Sequence, residues 1–188
     1  MKMIFDVETN GLFNCSVLSF SALVLDNDNN IIDIINKYYY RDILESDNRE
    51  ALRINGLYKE VIKEKRKNVK YSKYFYKDKS IPTLFNLSDT LIAHNINFDL
   101  THIQDNFKDI NLDDKELYCT MREVQYLYEA PYYNNGEPKY PKLSEAIEHF
   151  NIDTDKIRDK TQANYHDSLF DVYCTYEIYK RLNDVCTN

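Results

Sequence analysis

Residues 3–8 read MIFDVE and have the alternation of a half-buried β-strand. The odd positions are all apolar, whereas Asp6 and Glu8 follow Ile4 on the opposite face. Carboxylates are depleted in strands, and two of them about 6.5–7 Å apart on one face repel each other. A pair of divalent cations held by oxygen ligands would supply the missing positive charge. The alternative is that the strand ends at Phe5 and the acids are solvated.

Two more β-rich runs follow at residues 17–25 and 31–40, and the DNDNN sequence between them is a strong turn signal. Three antiparallel strands therefore open the chain. The later predicted elements are helical sequence over 48–67 with a break near Gly56, a strand at 90–93, a helix at 98–107, a strand at 117–120 and a helix at 143–150. This order predicts an α/β fold with a mixed sheet.

A last helix is indicated by apolar residues that recur at helical spacing, namely Leu169, Val172, Tyr173, Tyr176, Tyr179 and Leu182. Residues 130–141 carry proline, asparagine and glycine and are expected to form a surface loop. No repeat or flexible linker divides the sequence, so residues 1–188 are predicted to form a single domain.

Composition excludes several classes of protein. The chain has three glycines, Gly11, Gly56 and Gly136, each far from the next. Phosphate-cradling loops need two or three glycines within about six residues, so nucleotide-binding loops of the P-loop, Rossmann and kinase types are excluded. No apolar run approaches the ~20 residues of a membrane span and no signal peptide follows Met1, so a cytoplasmic protein without a membrane partner is expected. The four cysteines contain no C-x-x-C pair, which argues against a zinc site.

Charge is distributed unevenly along the chain. The net charge of −7 disfavours nonspecific binding to duplex nucleic acid. Residues 63–79, however, hold eight lysines and arginines against Glu64 and Asp78. Within them, Lys67–Lys79 interleaves lysines with aromatic residues, as single-strand binders do to track phosphates and stack bases. A solvated loop in a chain with 17 tyrosines explains this segment equally well.

Two further segments place carboxylates at predicted helix starts. In residues 93–99, AHNINFD, Asp99 falls in the first helical turn, where it would also meet the helix dipole favourably. In residues 165–171, YHDSLFD, His166 comes directly before the final helix and Asp171 lies near its first turn. The neighbouring polar residues could act only as helix caps.

The three acidic segments together resemble the DEDDh family of 3′–5′ exonucleases, which are DnaQ-like proofreading and RNA-trimming nucleases. The residues that carry the resemblance are Asp6, Glu8, Asp99, His166 and Asp171. Residues 5–12, FDVETNGL, resemble the family's first motif, D-x-E-[TS]-x-G-[LM]; residues 94–99 resemble its second, and the H-x-x-x-x-D spacing of residues 166–171 its third. Asp167 stands where a sister subgroup has tyrosine, so the histidine subgroup fits. Ser168 stands where the family often has alanine.

The resemblance implies a ribonuclease H-like α/β fold, with a central mixed sheet of about five strands, the first three antiparallel, flanked by helices. It also implies a 3′–5′ exonuclease that releases nucleoside monophosphates from single-stranded DNA or RNA, with two Mg²⁺ or Mn²⁺ ions bound by the four carboxylates and His166 as general base. The residues expected to contact the 3′ end of the substrate are Thr9, Leu12, Asn95 and Phe98.

Alternative functions remain compatible with the sequence. They are an oligoribonuclease-like enzyme acting on very short RNAs, a noncatalytic nucleic-acid-binding module of the same fold, and an endonuclease. The complete set of carboxylates argues against the noncatalytic module, and the spacing of residues 166–171 favours exonuclease over endonuclease. Only residues 183–188 follow Leu182, so no polymerase-binding tail is evident. Homodimerisation would be consistent with the family.

Overall fold

The computed structural model describes residues 1–42, 48–128, 133 and 136–186. Its centre is a mixed sheet of five strands in the order β3-β2-β1-β4-β5. The strands are β1 (Lys2–Thr9), β2 (Val17–Leu25), β3 (Ile31–Tyr38), β4 (Thr90–Ala93) and β5 (Glu116–Cys119). The first three pair antiparallel, whereas β1, β4 and β5 run parallel. The predicted ribonuclease H-like fold is confirmed.

Helices cover both faces of the sheet. They are α1 (Arg49–Asn55), α2 (Lys59–Lys65), α3 (Ser80–Leu87), α4 (Ile96–Asn106), α5 (Thr120–Gln125), α6 (Leu143–His149), α7 (Thr154–Thr161) and α8 (Ser168–Cys186). A short 3-10 helix spans Phe75–Lys77. Residues of α3 and α4 build the core on one face of the sheet, and residues of α5 to α8 build the core on the other. No helix within the described ranges is both long and apolar enough to cross a membrane.

The alternation of residues 3–8 sets the two faces of β1. Met3 and Phe5 are fully buried in the core beneath α3 and α4, and Ile4 is buried in the core beneath α8. The strand does not end at Phe5 but continues to Thr9, so Asp6 and Glu8 share the Ile4 face. Solvated acids beyond a short strand are therefore excluded.

The predicted break near Gly56 has a backbone cause. Gly56 adopts a φ of +68°, a left-handed conformation that ends α1 and that other residues adopt only at a cost. At the other end of the helix, the Asn48 side chain accepts hydrogen bonds from the N–H groups of Glu50 and Ala51. Two residues separate Gly56 from Lys59, where α2 begins.

Two helices lack a clear signal in the sequence. Helix α3 contains Pro82 in its first turn, where the missing N–H costs little, but the residue reads as a helix breaker. Helix α7 buries only Ile157, so it has no apolar stripe.

Strand β3 ends two residues before the predicted boundary, because the N–H of Tyr40 leaves the sheet and donates to the Lys73 carbonyl, 2.9 Å away. Part of the predicted loop at 130–141 lies outside the described residues.

Helix α8 is fixed to the sheet by a buried cluster of serines. The Ser168 hydroxyl donates to the Ser19 hydroxyl at 2.9 Å and lies 2.8 Å from the Ser21 hydroxyl. All three residues are fully buried. A serine at position 168, where the related family often has alanine, is thus matched by two serines on β2.

We expect Ser168→Ala to lower the free energy of unfolding by about 1–2 kcal/mol, because Ser19 keeps a buried hydroxyl without this partner. For a chain of this size, each kcal/mol corresponds to a fall in Tm of about 2–4 °C. The measurement is thermal unfolding of both single variants and of the Ser19→Ala/Ser168→Ala double variant, which should lose less than the sum of the singles. A Ser168→Ala variant as stable as the original protein would contradict this role.

Candidate active site

The candidate site begins where β1 and β4 part. Strand β4 pairs with β1 as far as the Ile4–Ile92 pair and no further. Beyond that point the Val7 N–H donates to Oδ1 of Asp99, 3.1 Å away, in the first turn of α4. The carboxyl ends of β1 and β4 meet at the same edge of the sheet, so Asp99 comes beside the two acids of β1.

Helix α8 brings the fourth carboxylate and the histidine. Asp171 lies in the first turn of α8, which packs across the Ile4 face of β1. Its Oδ2 accepts a hydrogen bond from the His166 N–H at 3.2 Å. One ligand atom from each of Glu8, His166 and Asp171 lies within 4.8 Å of the others. The structure therefore brings together the carboxylates and the histidine that the sequence singled out.

His166 has an unusual backbone for a residue with a side chain. Its φ is +65°, in the left-handed region that glycine favours, and its side chain is exposed. The hydrogen bond from its N–H to Asp171 holds this conformation. Strained residues of this kind persist where the surrounding structure fixes them, often at functional sites.

Burial and mutual repulsion make the carboxylates reluctant to ionise. Burial is the main cause that raises the pKa of Asp6 well above its ordinary value, and the charges of Asp99 and Asp171 add to it. Burial likewise raises the pKa of Asp99 well above its usual range, although the Val7 N–H opposes the rise. Burial followed by the charge of Asp171 raises the pKa of Glu8 to about 9, and burial raises that of Asp171 to about 7.

Two oxygen atoms in the cluster are buried without hydrogen bonds. Asp6 Oδ2 and Asp171 Oδ1 accept none from any residue that the structure describes. A buried carboxylate oxygen without a donor is costly, and native structures rarely leave such atoms unsatisfied. A hard cation bound by these two oxygen atoms would take the place of the missing hydrogen-bond donors.

The loop that carries His166 is held from the far side by Asp167. Its Oδ1 accepts from the Leu169 N–H at 3.0 Å and so caps the start of α8, while its Oδ2 accepts from the Tyr38 hydroxyl at 3.1 Å. The Lys65 ammonium lies 3.6 Å from the same carboxylate. The Asp167 side chain thus caps α8 and pairs with Lys65. The side chain of the neighbouring His166 lies beside Glu8 and Asp171 instead.

The predicted substrate contacts occupy different environments. Leu12 is 67% exposed, and its neighbour Phe13, which the sequence did not single out, is 85% exposed. Thr9 is buried, and its hydroxyl donates to the Gly11 carbonyl at 2.5 Å. Asn95 is exposed with a φ of +78°, directly before α4.

Phe98 is half-buried, with its ring set edge-on against His102 at 4.6 Å between centroids. Asn55 is a residue of the site that sequence reasoning passed over. Its Nδ2 donates to the Thr9 carbonyl at 2.9 Å, and its side chain opposes the rise in the pKa of Glu8. The adjacent Gly56 was the available signal, since it marks a tight corner at this point.

Comparison with known proteins places these features in a family. The profile of the RNase_T family, described as exonuclease, matches residues 3–179. No curated protein sequence matches the chain significantly.

Several solved structures share the fold. The chain is similar to Escherichia coli exonuclease I in complex with a dT13 oligonucleotide, with 19% identity, a TM-score of 0.71, and coverage of 98% of this chain and 42% of that one. The zinc-bound E. coli exonuclease I complex with single-stranded DNA has 20% identity, a TM-score of 0.70, and coverage of 98% and 42%. The chain thus spans less than half the length of these relatives.

At this identity the structural likeness establishes the fold, whereas the family profile spans most of the sequence. The motifs around Asp6, Asp99 and Asp171 all lie within the matched residues. The chain therefore belongs to the RNase_T exonuclease family, among the DnaQ-like exonucleases whose motifs its sequence carries.

Proposed function

We propose that this protein is a 3′–5′ exonuclease that releases nucleoside monophosphates from single-stranded nucleic acid. The observation that carries the proposal is the meeting of four carboxylates and one histidine at the sheet edge, where two carboxylate oxygens are buried and have no donor among the described residues. Without bound cations, a cluster of buried carboxylates lowers the stability of the fold.

The residues present fit a pair of divalent cations. Asp6, Glu8, Asp99 and Asp171 offer only oxygen ligands, which Mg²⁺ and Mn²⁺ prefer. Four ionised carboxylates carry a charge equal and opposite to that of two such ions, so the site can still accept a phosphate. When bound, the cations would offset charge on the scissile phosphate and make a water molecule more acidic.

His166 would act as the general base. Its side chain is exposed beside Glu8 and Asp171, where it can take a proton from the attacking water. The water oxygen forms the new bond to phosphorus while the bond to the 3′ oxygen of the preceding nucleotide breaks. Histidine is also the side chain that acts most often in general acid–base catalysis.

The exposed end of the first motif would hold the terminal nucleotide. Leu12 is exposed and would pack beneath the last base, and Phe13 beside it would widen that apolar surface. Thr9, Asn95 and Phe98 are the further proposed contacts to the 3′ end. Thr9 would act mainly through its backbone position, since its hydroxyl already bonds Gly11.

Single-stranded DNA is the first polymer to test, because similar structures contain exonuclease I bound to single-stranded DNA. We expect 5′-labelled DNA or RNA, in Mg²⁺ or in Mn²⁺, to give a ladder that shortens from the 3′ end. Asp171→Ala should remove the ladder. A single internal cut would contradict exonuclease action, and no cleavage of polymers or dinucleotides would favour the noncatalytic binding module.

Replacement of His166 by alanine should reduce turnover by about 10²–10⁴-fold, the usual contribution of a general base. The four carboxylates remain, so the rise in Tm on addition of Mn²⁺ should persist. Steady-state rates and thermal unfolding with and without Mn²⁺ measure the two effects. His149→Ala is the matched control, because His149 is an exposed histidine at the end of α6. Unchanged turnover in the His166 variant would overturn the assignment.

Replacement of Asp6 by asparagine should stabilise the metal-free protein while abolishing activity. The change removes a buried acidic group whose charge four other carboxylates repel, Glu8, Asp99, Asp167 and Asp171, and relief of such repulsion stabilises by on the order of 1 kcal/mol. We expect a higher Tm in EDTA and a much smaller rise on addition of Mn²⁺. Asp109→Asn, at an exposed site after α4, should change neither value. A lower Tm in EDTA for the Asp6 variant would contradict the proposed repulsion.

A further inference from the structure

A cavity of about 570 Å³ lies at the corner between α1 and α2. Its floor is apolar and includes Leu52, Leu57 and Ile62, which are buried in a small separate core. Its volume falls within the range of sites for small organic ligands. The floor gives a flat aromatic group a dry surface on which to pack.

One side chain links the cavity to the carboxylate cluster. The Asn55 Nδ2 donates to the Thr9 carbonyl at 2.9 Å, and the Asn55 Oδ1 accepts from the Leu57 N–H at 3.0 Å. Thr9 directly follows Glu8, and Leu57 lies in the cavity floor. The two sites therefore lie on either side of a single tight turn at Gly56.

The rim of the cavity combines cations with aromatic rings. Among the described residues that line it, Glu60 is the one acid against Arg41, Lys59 and Lys73. Lys59 and Lys73 are exposed, and neither pairs with a carboxylate in the described part of the chain. Lys59 also opens α2, where a positive charge is unfavourable against the helix dipole. Helix stability therefore does not explain this lysine.

Tyrosines complete the rim. Tyr58 is 46% exposed at the start of α2. Tyr74 stacks on Tyr76 with ring centroids 5.8 Å apart and an angle of 26° between the planes. The Lys77 ammonium lies over both rings, 5.5 Å from the centroid of Tyr74 and 5.4 Å from that of Tyr76. Among the residues that line the cavity, Tyr58 and Tyr74 lie beside Lys59 and Lys73, and single-strand binders likewise combine aromatic rings with positive charge.

The structure divides the basic segment around Lys67–Lys79 into two parts. Arg66 points inward and donates to the Tyr38 and Tyr71 carbonyls, and Phe75 is buried in the main core. These residues are structural. Lys73 and Tyr74 face the cavity instead. The solvated-loop interpretation therefore does not describe the inward-facing half.

We propose that this cavity binds a nucleotide of the substrate strand that lies 5′ of the residue held at the carboxylate cluster. The base packs on the apolar floor between Tyr58 and Tyr74, and the adjoining phosphates face Lys59 and Lys73. This inference rests on the proposed exonuclease function. The nucleotide that the cavity binds is at least two positions 5′ of the residue at the cluster, so the proposal predicts that a longer strand is handled better than a dinucleotide.

The test compares two double variants, Lys59→Gln/Lys73→Gln and Tyr58→Ala/Tyr74→Ala, on thymidylate dodecamer and dinucleotide. We expect kcat/KM for the dodecamer to fall about tenfold in the tyrosine variant, from the loss of base stacking, with a much smaller change for the dinucleotide. In the lysine variant, binding of 5′-labelled dodecamer should depend less steeply on salt, by about 0.7 in the log–log slope for each lost phosphate contact.

The control is Lys156→Gln/Lys180→Gln, which removes the same charge from an exposed position on α7 and a half-buried one on α8. Equal losses on both substrate lengths, no loss on either, or the same change in salt slope in the control would overturn the cavity assignment. Failure of the exonuclease proposal looks different: the unaltered protein would bind the dodecamer in a manner that depends on Lys59 and Lys73 and cleave neither substrate.

Discussion

Four carboxylates packed into a largely buried space repel one another, and the surrounding structure holds them together against that repulsion. The raised pKa values of Asp6, Glu8, Asp99 and Asp171 express this strain, since each group is held where its charged form is unfavourable. The supports are hydrogen bonds: the Val7 N–H donates to Asp99, the His166 N–H donates to Asp171, and the Asn55 side chain donates to the carbonyl of Thr9, next to Glu8. A fold that spends stability at one point in this way commonly does so for function.

The two faces of the sheet contribute differently to holding the carboxylates together. One face carries a dense aromatic core, in which Phe5 and Phe85 meet edge-on at 5.0 Å and Phe20 lies beside them. The other face receives α8, whose start is fixed by the serine cluster and by the Asp167 cap. Asp6 and Glu8 lie on the second face, so the position of α8 decides how close Asp171 comes to them. Rigid elements rather than loops therefore position most of the carboxylates.

How much could be predicted from sequence depends on whether the signal is local. The alternation around Phe5 and the apolar stripe of α8 are local patterns, and both predicted their elements. The alternation also predicted the buried faces of β1, whereas the stripe predicted the buried face of α8 only in part, since the fully buried Phe170, Cys174 and Ile178 lie outside it. Helix α7 buries one residue, so its pattern is too weak to detect. The carboxylates were found through motif order, but the Asn55 link and the cavity were not. The cavity is built from segments far apart in the sequence, between Leu18 and Tyr74, and no local pattern shows that they meet.

The placement of Asp171 and His166 at the start of α8 also has a consequence for protein synthesis. Domains begin to fold from the N-terminal end as the chain emerges from the ribosome, so the sheet strands and α4 are available before residues 168–186. At that stage Asp6, Glu8 and Asp99 lack their fourth partner, and α8 has not yet covered their face of the sheet. Until residues 168–186 have emerged and folded, the nascent chain therefore has no complete site.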